Sequence, residues 1–184
     1  PIQLITAFAA AVNGGYLVEP HVVREILDSE GNIIEQKSTA VRRQVISQET
    51  SRTMCQVLEQ VAENSNAYVS GFRLGGKSGT AEKLNSANNE NVASFCAFGP
   101  TDDPQVICLI LYDGAHSYSI FGGNIVAPVV ASVMSYTLPY IGVEAVYTDE
   151  EMETVDVYEP YLNTISLTNA KAQLQKKGLN YKVV

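Results

Sequence analysis

Residues 75–83 place one lysine ammonium and two hydroxyl groups between glycines, in the run Gly-Gly-Lys-Ser-Gly-Thr-Ala-Glu-Lys. Glycine has no Cβ, so the backbone of another molecule can lie close against a strand of this composition. Such a strand can serve as a docking edge. The run is compatible with three features: a phosphate-binding loop, a glycine-rich surface turn, and the substrate-binding strand of an acyl-transfer site.

The phosphate-loop pattern G-x-x-x-x-G-K-[ST] is met literally by Gly71, Gly76, Lys77 and Ser78. A phosphate loop holds its lysine at the start of a helix. Here the residues after Ser78 show no apolar helical pattern and continue into a polar loop, and residues 68–74 before the run are typical of an extended chain. The context therefore argues against a phosphate site.

The composition disfavours several classes of partner. Among 184 residues, 12 are basic and 20 are acidic, and the formal net charge of -8 disfavours nucleic acid or anionic lipid. The hydrophobic content of 46% is enough for one sizeable core plus an appendage. The apolar runs are much shorter than the roughly 20 residues that span a bilayer, so we expect any anchor or export signal to lie outside residues 1–184.

The three cysteines and two histidines show no metal-binding spacing, and we expect neither a metal nor a cofactor. Cys96 and Cys108 face each other if the strands that carry them pair as a hairpin. Free cysteine is nevertheless one of the commonest small buried residues, so a disulfide is not predicted. His116 is predicted to be an ordinary loop residue.

Two helices and a hairpin are predicted before the lysine strand. Residues 2–13 are rich in Ala and Leu and indicate a buried helix that Gly14-Gly15 ends. Residues 16–34 contain alternating stretches around a turn and predict a small hairpin outside the main core. Ser47 can cap an amphipathic helix whose apolar positions recur as far as Ala62.

Two strands and a helix are predicted after the lysine strand. Residues 92–98 and 105–112 indicate an antiparallel hairpin across a Gly-Pro-containing turn. The second strand is apolar on both faces, which predicts that it is covered on both sides, as a central strand between helical layers would be. Residues 124–138 predict an apolar helix, and residues 84–91 a mobile loop.

The last forty residues change in character. Residues 144–159 contain seven acidic residues and no Lys or Arg, so residues 143–154 are interpreted as a solvated acidic linker. Residues 155–184 predict a strand, a short helix capped by Ser166 and a second strand. A module of this size falls below the ~40 residues usually needed for independent folding.

Several short motifs, taken in their order, carry a resemblance to a known family. They are Pro1-Ile2-Gln3-Leu4, Ala11-Val12-Asn13-Gly14-Gly15, Pro20-His21, residues 71–83, Ala93-Ser94-Phe95, Phe98-Gly99-Pro100, Asp103-Pro104, Gly122-Gly123 and Ala127-Pro128. With these motifs in this order, the chain resembles the C-terminal half of a class B penicillin-binding protein transpeptidase domain. Lys77-Ser78-Gly79 matches the Lys-Thr-Gly motif of that superfamily.

The resemblance implies an α/β (α+β) fold of the penicillin-binding protein and serine β-lactamase type, with helices covering both faces of an antiparallel sheet. It assigns residues 1–142 to the C-terminal part of the transpeptidase domain. Residues 155–184 resemble the first half of a PASTA module, a cell-wall-associated repeat. A class B enzyme with such a tail is most similar to the Gram-positive division or sporulation types.

The implied activity is that of a peptidoglycan D,D-transpeptidase, which cross-links stem peptides through a serine ester. Lys77 and Thr80 are the implied catalytic residues: Lys77 provides positive charge, and the Thr80 N–H provides half of the oxyanion hole. Ser78, Gly79 and Glu82 are the implied substrate-binding residues. The hydroxyl groups of Ser78 and Thr80 would bind the substrate carboxylate, and Gly79 would keep the strand open to the peptide.

The serine nucleophile of the family is expected upstream of Pro1, because no serine in the chain has a lysine three residues later. The one S-x-N run, Ser86-Ala87-Asn88, follows the lysine strand and is interpreted as coincidence. The 184 residues alone are therefore expected to be inactive.

The implied partners are peptidoglycan stem peptides, β-lactam antibiotics, and cell-wall proteins of division or sporulation. The implied location is the extracytoplasmic face of the cell membrane, with the anchor outside this chain. Two alternatives remain open at this point. One is a non-catalytic cell-wall-binding scaffold of the same fold. The other is a β-lactamase, which is not expected to carry a PASTA-like tail.

Overall fold

The computed structural model describes residues 1–84, 90–114, 119–154, 169–171 and 174. Its helices and strands are, in chain order, α1 (Ile2–Val12), β1 (Tyr16–Val18), β2 (Glu25–Leu27), β3 (Ile33–Gln36), β4 (Val41–Gln44), α2 (Gln48–Glu63), β5 (Gly75–Glu82), β6 (Asn91–Gly99), β7 (Val106–Asp113), α3 (Gly122–Ile125), α4 (Ala127–Tyr140) and α5 (Asp149–Thr154). The strands β5, β6 and β7 form an antiparallel sheet in that order, with helices on both faces, as the resemblance implies. In the described ranges, no helix is long and apolar enough to cross a membrane.

The side chains of the central strand, β6, alternate between two cores. Phe98 points to one face of the sheet and packs with Val12 of α1 and Leu58 of α2. Phe95 points to the other face and packs with Val130 of α4. Both rings are fully buried, and burying a side chain of this kind stabilises the fold by roughly 1.5–3 kcal/mol. These two cores hold the lysine strand, β5, against the rest of the sheet.

The helix α2 begins where the sequence predicts. The Ser47 Oγ accepts a hydrogen bond from Thr50 N (3.0 Å), which satisfies one of the free amide groups of the first turn. The helix ends at Glu63, just before Asn64-Ser65-Asn66. The predicted helix over residues 124–138 is also present, as α3 and α4 on either side of Val126.

The predicted coverage of both faces of β7 is confirmed. Both of its faces are covered as expected, since Ile107 packs with the α1–α2 core and Ile110 with the α4 core. Its position is nevertheless at the edge of the described sheet, because β6 lies between β5 and β7. An apolar pattern reports which faces are covered, whereas the chain connections decide which strand is central.

The two hairpin cysteines do not face each other, contrary to expectation. Cys96 lies opposite Leu109 and Cys108 lies opposite Ala97, so the two side chains lie on opposite faces of the sheet. A register shift of one residue has this effect because side chains alternate along a strand. Cys55, Cys96 and Cys108 are all free thiols.

Two local predictions before β5 also need correction. Residues 68–74 form a turn rather than an extended strand, because Gly71 has a φ of +78° and Val69 bridges to Phe72. The helix α1 is not buried along its whole length. Ile2 and Leu4 are 57% and 50% exposed, and only the C-terminal part of the helix packs with α2 and Phe98.

The small hairpin lies outside the main core, as predicted. The strands β2 and β3 pair around a turn in which Asp28 Oδ1 accepts hydrogen bonds from Glu30 N (2.9 Å) and Asn32 N (2.8 Å). These bonds lower the pKa of Asp28, the contact with Asn32 contributing most. A second pairing, between β1 and β4, was not predicted.

The acidic segment is attached to the domain through Glu151. Its Oε1 accepts hydrogen bonds from the Tyr68 hydroxyl and from Gly71 N (2.9 Å). Its Oε2 accepts from Thr148 N (2.7 Å), while Glu151 N donates to Thr148 Oγ1 (3.2 Å). The last two bonds form a capping box at the start of α5. Part of this segment is therefore docked rather than solvated.

Backbone packing strengthens the same attachment. Val146 N donates to Gly71 O (2.8 Å), and a Cβ at Gly71 would lie 2.6 Å from the Tyr147 ring. The proposed division at residues 142, 143–154 and 155–184 stays a prediction. Apart from residues 169–171 and 174, the PASTA-like region lies outside the described residues, as do His116 and the Ser86-Ala87-Asn88 run.

Candidate active site

The strand β5 is an edge strand within the described sheet, and it pairs with β6 in unbroken register. In an antiparallel ladder, residues whose amide groups face the partner strand alternate with residues whose amide groups face away. Lys83 N donates to Glu90 O (2.9 Å), so the odd-numbered residues of β5 bond to β6. Gly76, Ser78 and Thr80 therefore direct their N–H and C=O groups toward the open edge.

Lys77 reaches the same edge from the α2 side of the sheet. It lies opposite Cys96, is exposed, and donates from Nζ to Ser78 O (2.9 Å). In the part of the chain that the structure describes, no carboxylate forms an ion pair with its ammonium. Its positive charge is thus available to an anionic ligand at the open edge.

Ser78 and Thr80 lie on the opposite face of the sheet, beside the start of α3. Gly122 N donates to Thr80 Oγ1 (3.4 Å). A hydroxyl group also carries one proton that it can donate. Among the described residues, no group accepts that proton from either hydroxyl. An ammonium, two hydroxyl donors and the outward Thr80 N–H therefore lie along one short stretch of strand edge, which is an arrangement suited to a carboxylate and a neighbouring oxyanion.

Among the predicted polar side chains, that of Glu82 takes no part in this group. It lies at the end of β5 opposite Asn91, is exposed, and makes no hydrogen bond or ion pair with another described residue. Its alternation with Ser78 and Thr80 places it on their face of the strand. A contact with bound substrate stays a prediction, as do the roles assigned to Lys77, Ser78, Gly79 and Thr80.

Close packing explains several glycines at the site. A Cβ on Gly76 would lie 2.6 Å from the Phe95 ring, and one on Gly79 would lie 2.6 Å from Ser94 Oγ. The restriction at Gly122 is stronger, since its Cβ would lie 2.0 Å from the backbone oxygen of Ser94. The glycine at the start of α3 therefore lets this helix approach the backbone of the sheet beside Thr80.

An ion pair fixes the chain just before β5. Arg73 Nε and Nη2 bond to Glu59 Oε1 (2.5 Å) and Oε2 (2.8 Å), a bidentate pairing of the kind that favours a single geometry. Glu59 is only 8% exposed, and its hydrogen bond raises the pKa of Arg73. Arg73 O also accepts from Thr101 N (3.0 Å). The start of the lysine strand is thus tied to both α2 and the turn after β6.

A second charged cluster closes the far end of the sheet, and the sequence reading missed it. Lys83 Nζ contacts Asp113 Oδ1 (2.6 Å) and Glu90 Oε2 (2.8 Å). Both carboxylates raise the pKa of Lys83, that of Asp113 the more strongly. The sequence does contain a signal for this ion pair. Lys83 directly follows β5 and Glu90 directly precedes β6, so the pairing of the two strands brings the two side chains together. The described residues contain no group of His, Cys, Asp and Glu that could hold a metal.

Asn66 was also missed as a site residue. It lies just after α2, and its Nδ2 donates to Gly123 O (3.0 Å), 57 residues away. It therefore ties the chain after α2 to the glycine pair that contacts Ser78 and Thr80. No local sequence pattern indicates a contact over this separation.

Comparison with known proteins identifies the family. The model of the penicillin-binding protein transpeptidase domain matches residues 1–135. The chain belongs to the penicillin-binding protein transpeptidase family. The family resemblance and the fold that it implied are thereby confirmed.

Relatives within this transpeptidase family include stage V sporulation protein D of Bacillus subtilis, 39% identical over 151 residues, which are 78% of this chain and 23% of that protein. The probable peptidoglycan D,D-transpeptidase PenA of Neisseria gonorrhoeae is 28% identical over 145 residues, which are 77% of this chain and 24% of that protein. The chain thus spans about a quarter of the length of these two relatives.

A solved structure supports the same transpeptidase fold. Penicillin-binding protein A of M. tuberculosis, in its ceftriaxone acyl-enzyme complex, matches with a TM-score of 0.69 and 22% identity. The match covers 75% of this chain and 32% of that one. At this identity the likeness shows the fold alone.

Proposed function

We propose that this chain forms the substrate-binding wall of a peptidoglycan D,D-transpeptidase that also binds β-lactam antibiotics. The observation that carries the proposal is the open edge of β5, where two hydroxyl donors lie together with a lysine that forms no ion pair with any described residue. A stem peptide ending in D-Ala-D-Ala offers a carboxylate and, one residue before it, the carbonyl that reacts. A β-lactam with a carboxylate offers the same two groups.

The proposed reaction is acyl transfer through serine. A serine oxygen attacks the carbonyl of the penultimate D-alanine, the terminal D-alanine leaves as the free amino acid, and a serine ester forms. An amine of a second stem peptide then attacks the ester carbonyl, so that the serine is released and a cross-link forms. We assign the nucleophilic serine to a segment outside residues 1–184, because no serine here has the family's lysine three residues later.

Each group on β5 has a role in this reaction. The Lys77 ammonium offsets the charge of the terminal carboxylate, and the hydroxyl groups of Ser78 and Thr80 donate to its oxygens. The Thr80 N–H, which faces the open edge, donates to the oxyanion of the tetrahedral intermediate; such a donor is typically worth ~3–4 kcal/mol in the transition state. Gly79 leaves the strand surface free of a side chain, and Glu82 contacts the more distant part of the peptide.

The relatives support a cellular setting for the proposed enzyme. One relative is named as a sporulation protein and others as D,D-transpeptidases. We therefore place the protein in the cell envelope, outside the cytoplasmic membrane, in peptidoglycan synthesis during division or sporulation. Cell-wall proteins of those processes are its proposed partners. The PASTA-like region is proposed as a wall-associated appendage.

Covalent labelling tests this function. A fluorescent penicillin is added to the full-length protein that contains this chain and, separately, to the 184 residues alone, and labelled protein is detected after denaturation. We expect one label per full-length molecule, on a serine outside this chain, and none on the 184 residues. Labelling of the short chain would show that the nucleophile is wrongly placed. An unlabelled full-length protein would overturn the enzyme proposal and favour a non-catalytic wall-binding scaffold.

A further inference from the structure

Asn66 and the glycine pair of α3 form a chain of contacts that ends on a site hydroxyl. Asn66 Nδ2 donates to Gly123 O (3.0 Å), and the neighbouring Gly122 N donates to Thr80 Oγ1 (3.4 Å). Both bonds are made by backbone atoms of the glycine pair. The segment after α2 is thereby connected to the substrate strand without passing along the sheet.

The glycine pair has little freedom to move toward or along β5. A Cβ on Gly122 would lie 2.0 Å from Ser94 O and 2.7 Å from Gly79 O, so the helix start already rests on the backbone of two strands. A Cβ on Gly123 would lie 3.9 Å from that of Ser78, which is an ordinary contact. Asn66 adds a side-chain hydrogen bond to the carbonyl group of Gly123.

The contact with Gly122 limits what the Thr80 hydroxyl can do. An N–H group can only donate, so Thr80 Oγ1 must accept from Gly122, and one of its lone pairs is occupied. The hydroxyl proton then points away from Gly122, and no described residue accepts it. A hydroxyl oriented in this way is set to donate to an anionic acceptor rather than to accept from a donor.

We propose that Asn66 is a positioning residue, which acts through the Gly122-Gly123 turn to hold the Thr80 hydroxyl as a donor to the substrate carboxylate. The proposal rests on the function proposed above. It adds a residue that does not bind the substrate itself but acts through other residues.

Acylation rates with and without a ligand carboxylate test this role. The full-length protein is treated with a penicillin carrying its free carboxylate and with the methyl ester of the same penicillin, and the second-order rate constants are compared. Asn66→Ala should lower the constant for the free acid about three- to ten-fold, the effect of losing one modest hydrogen bond. The constant for the ester should change less than two-fold, so the ratio of the two constants falls.

A double-mutant cycle distinguishes positioning from general damage. Thr80→Val should lower the same ratio, and adding Asn66→Ala to it should cause no further loss, because residues that act through one group are not additive. Thr80→Ser, which keeps the hydroxyl, should retain the response to Asn66→Ala. Asn64→Ala is the matched control: Asn64 is also exposed and its side chain donates to a backbone carbonyl, that of Gln60 (2.8 Å), within its own helix rather than to α3.

The outcomes separate this inference from the function on which it rests. An unlabelled wild-type protein would overturn the transpeptidase proposal and the positioning role with it. Normal acylation of the wild type with an unchanged ratio in Asn66→Ala would overturn the positioning role alone. Equal losses for acid and ester, or full additivity with Thr80→Val, would do the same.

Discussion

Replacing Glu151 with glutamine tests whether the acidic segment belongs to the folded domain. The carboxylate accepts hydrogen bonds from the Tyr68 hydroxyl, Gly71 N and Thr148 N. An amide keeps the shape but turns one acceptor oxygen into an NH₂ donor, which must then face an N–H or O–H donor. Hydrogen bonds to charged groups contribute about 1.5–3 kcal/mol each, and partial exposure of the site lowers the total. We expect Glu151→Gln to lower the free energy of unfolding by about 1–2 kcal/mol.

The same contact predicts a pH dependence. Desolvation alone would raise the pKa of Glu151, but the hydrogen bonds from Tyr68, Thr148 and Gly71 outweigh it and lower the pKa to about 2, from an ordinary 4.5. A carboxyl group whose pKa is lowered by folding stabilises the fold fully above its unfolded pKa and loses that contribution as the pH falls through the folded pKa. The stability difference between wild type and Glu151→Gln should therefore be constant near neutral pH and shrink between about pH 4.5 and 2.

Thermal unfolding of the 184-residue chain, followed by circular dichroism, measures both effects. A loss of 1–2 kcal/mol corresponds to a fall in Tm of about 2–8 °C for a chain of this size. Glu150→Gln, one residue earlier and exposed, is the control and should stay within about 0.5 kcal/mol of wild type. Equal Tm values for wild type and Glu151→Gln at pH 7 would contradict the claim that Glu151 attaches the acidic segment to the domain. A difference that does not shrink in acid would refute the role of the charge.

Three further predictions concern packing, the ion pair before β5 and thiol reactivity. Gly76→Ala should destabilise the fold by about 1–3 kcal/mol in urea unfolding, because the new Cβ meets the Phe95 ring at 2.6 Å. Glu59→Gln should cost about 1–3 kcal/mol in the same assay, since Arg73 loses its bidentate partner. Cys96, whose pKa burial raises to about 12, should react with a disulfide reagent at pH 8 far more slowly in the folded chain than in urea.

Each of these three has a control within the chain or the assay. Gly123→Ala adds a Cβ whose nearest neighbour lies 3.9 Å away, an ordinary contact distance. It should therefore destabilise the fold much less than Gly76→Ala. Glu63→Gln, in the last turn of the same helix as Glu59, should stay within about 0.5 kcal/mol of wild type. Rapid reaction of Cys96 in the folded chain would contradict its burial, and unaltered stability in Glu59→Gln would show that Arg73 is held in another way.

Local patterns were enough to predict the elements that carry the site. The Ser47 cap, the glycine stop after α1 and the hairpin of β6 and β7 all depend on residues within a few positions of one another. The lysine strand followed from its glycines and its place before that hairpin. These features were predictable because propensity, capping and turn chemistry act over short separations along the chain.

Long-range contacts decided what could not be predicted. The apolar faces of β7 reflect coverage by two helical layers, which does not reveal whether a strand is central or at an edge. Glu151 looked like one more acidic residue of a solvated run, because its partner Gly71 lies 80 residues earlier. Asn66 likewise acquires its contact only when α3 reaches the sheet. In each case the fold brings together groups that no local pattern links.

The charge of Lys77 is the most direct test of the proposed substrate wall. The measurement is the second-order rate constant for acylation of the full-length protein by penicillin, compared between wild type, Lys77→Ala and the control Lys37→Ala, whose lysine pairs with Glu35 on the small hairpin. We predict a loss of at least 100-fold for Lys77→Ala, in the range seen when a preorganised electrostatic group is removed, and a wild-type rate for Lys37→Ala. A wild-type rate in Lys77→Ala would contradict the assignment of β5 as the wall that binds the substrate carboxylate.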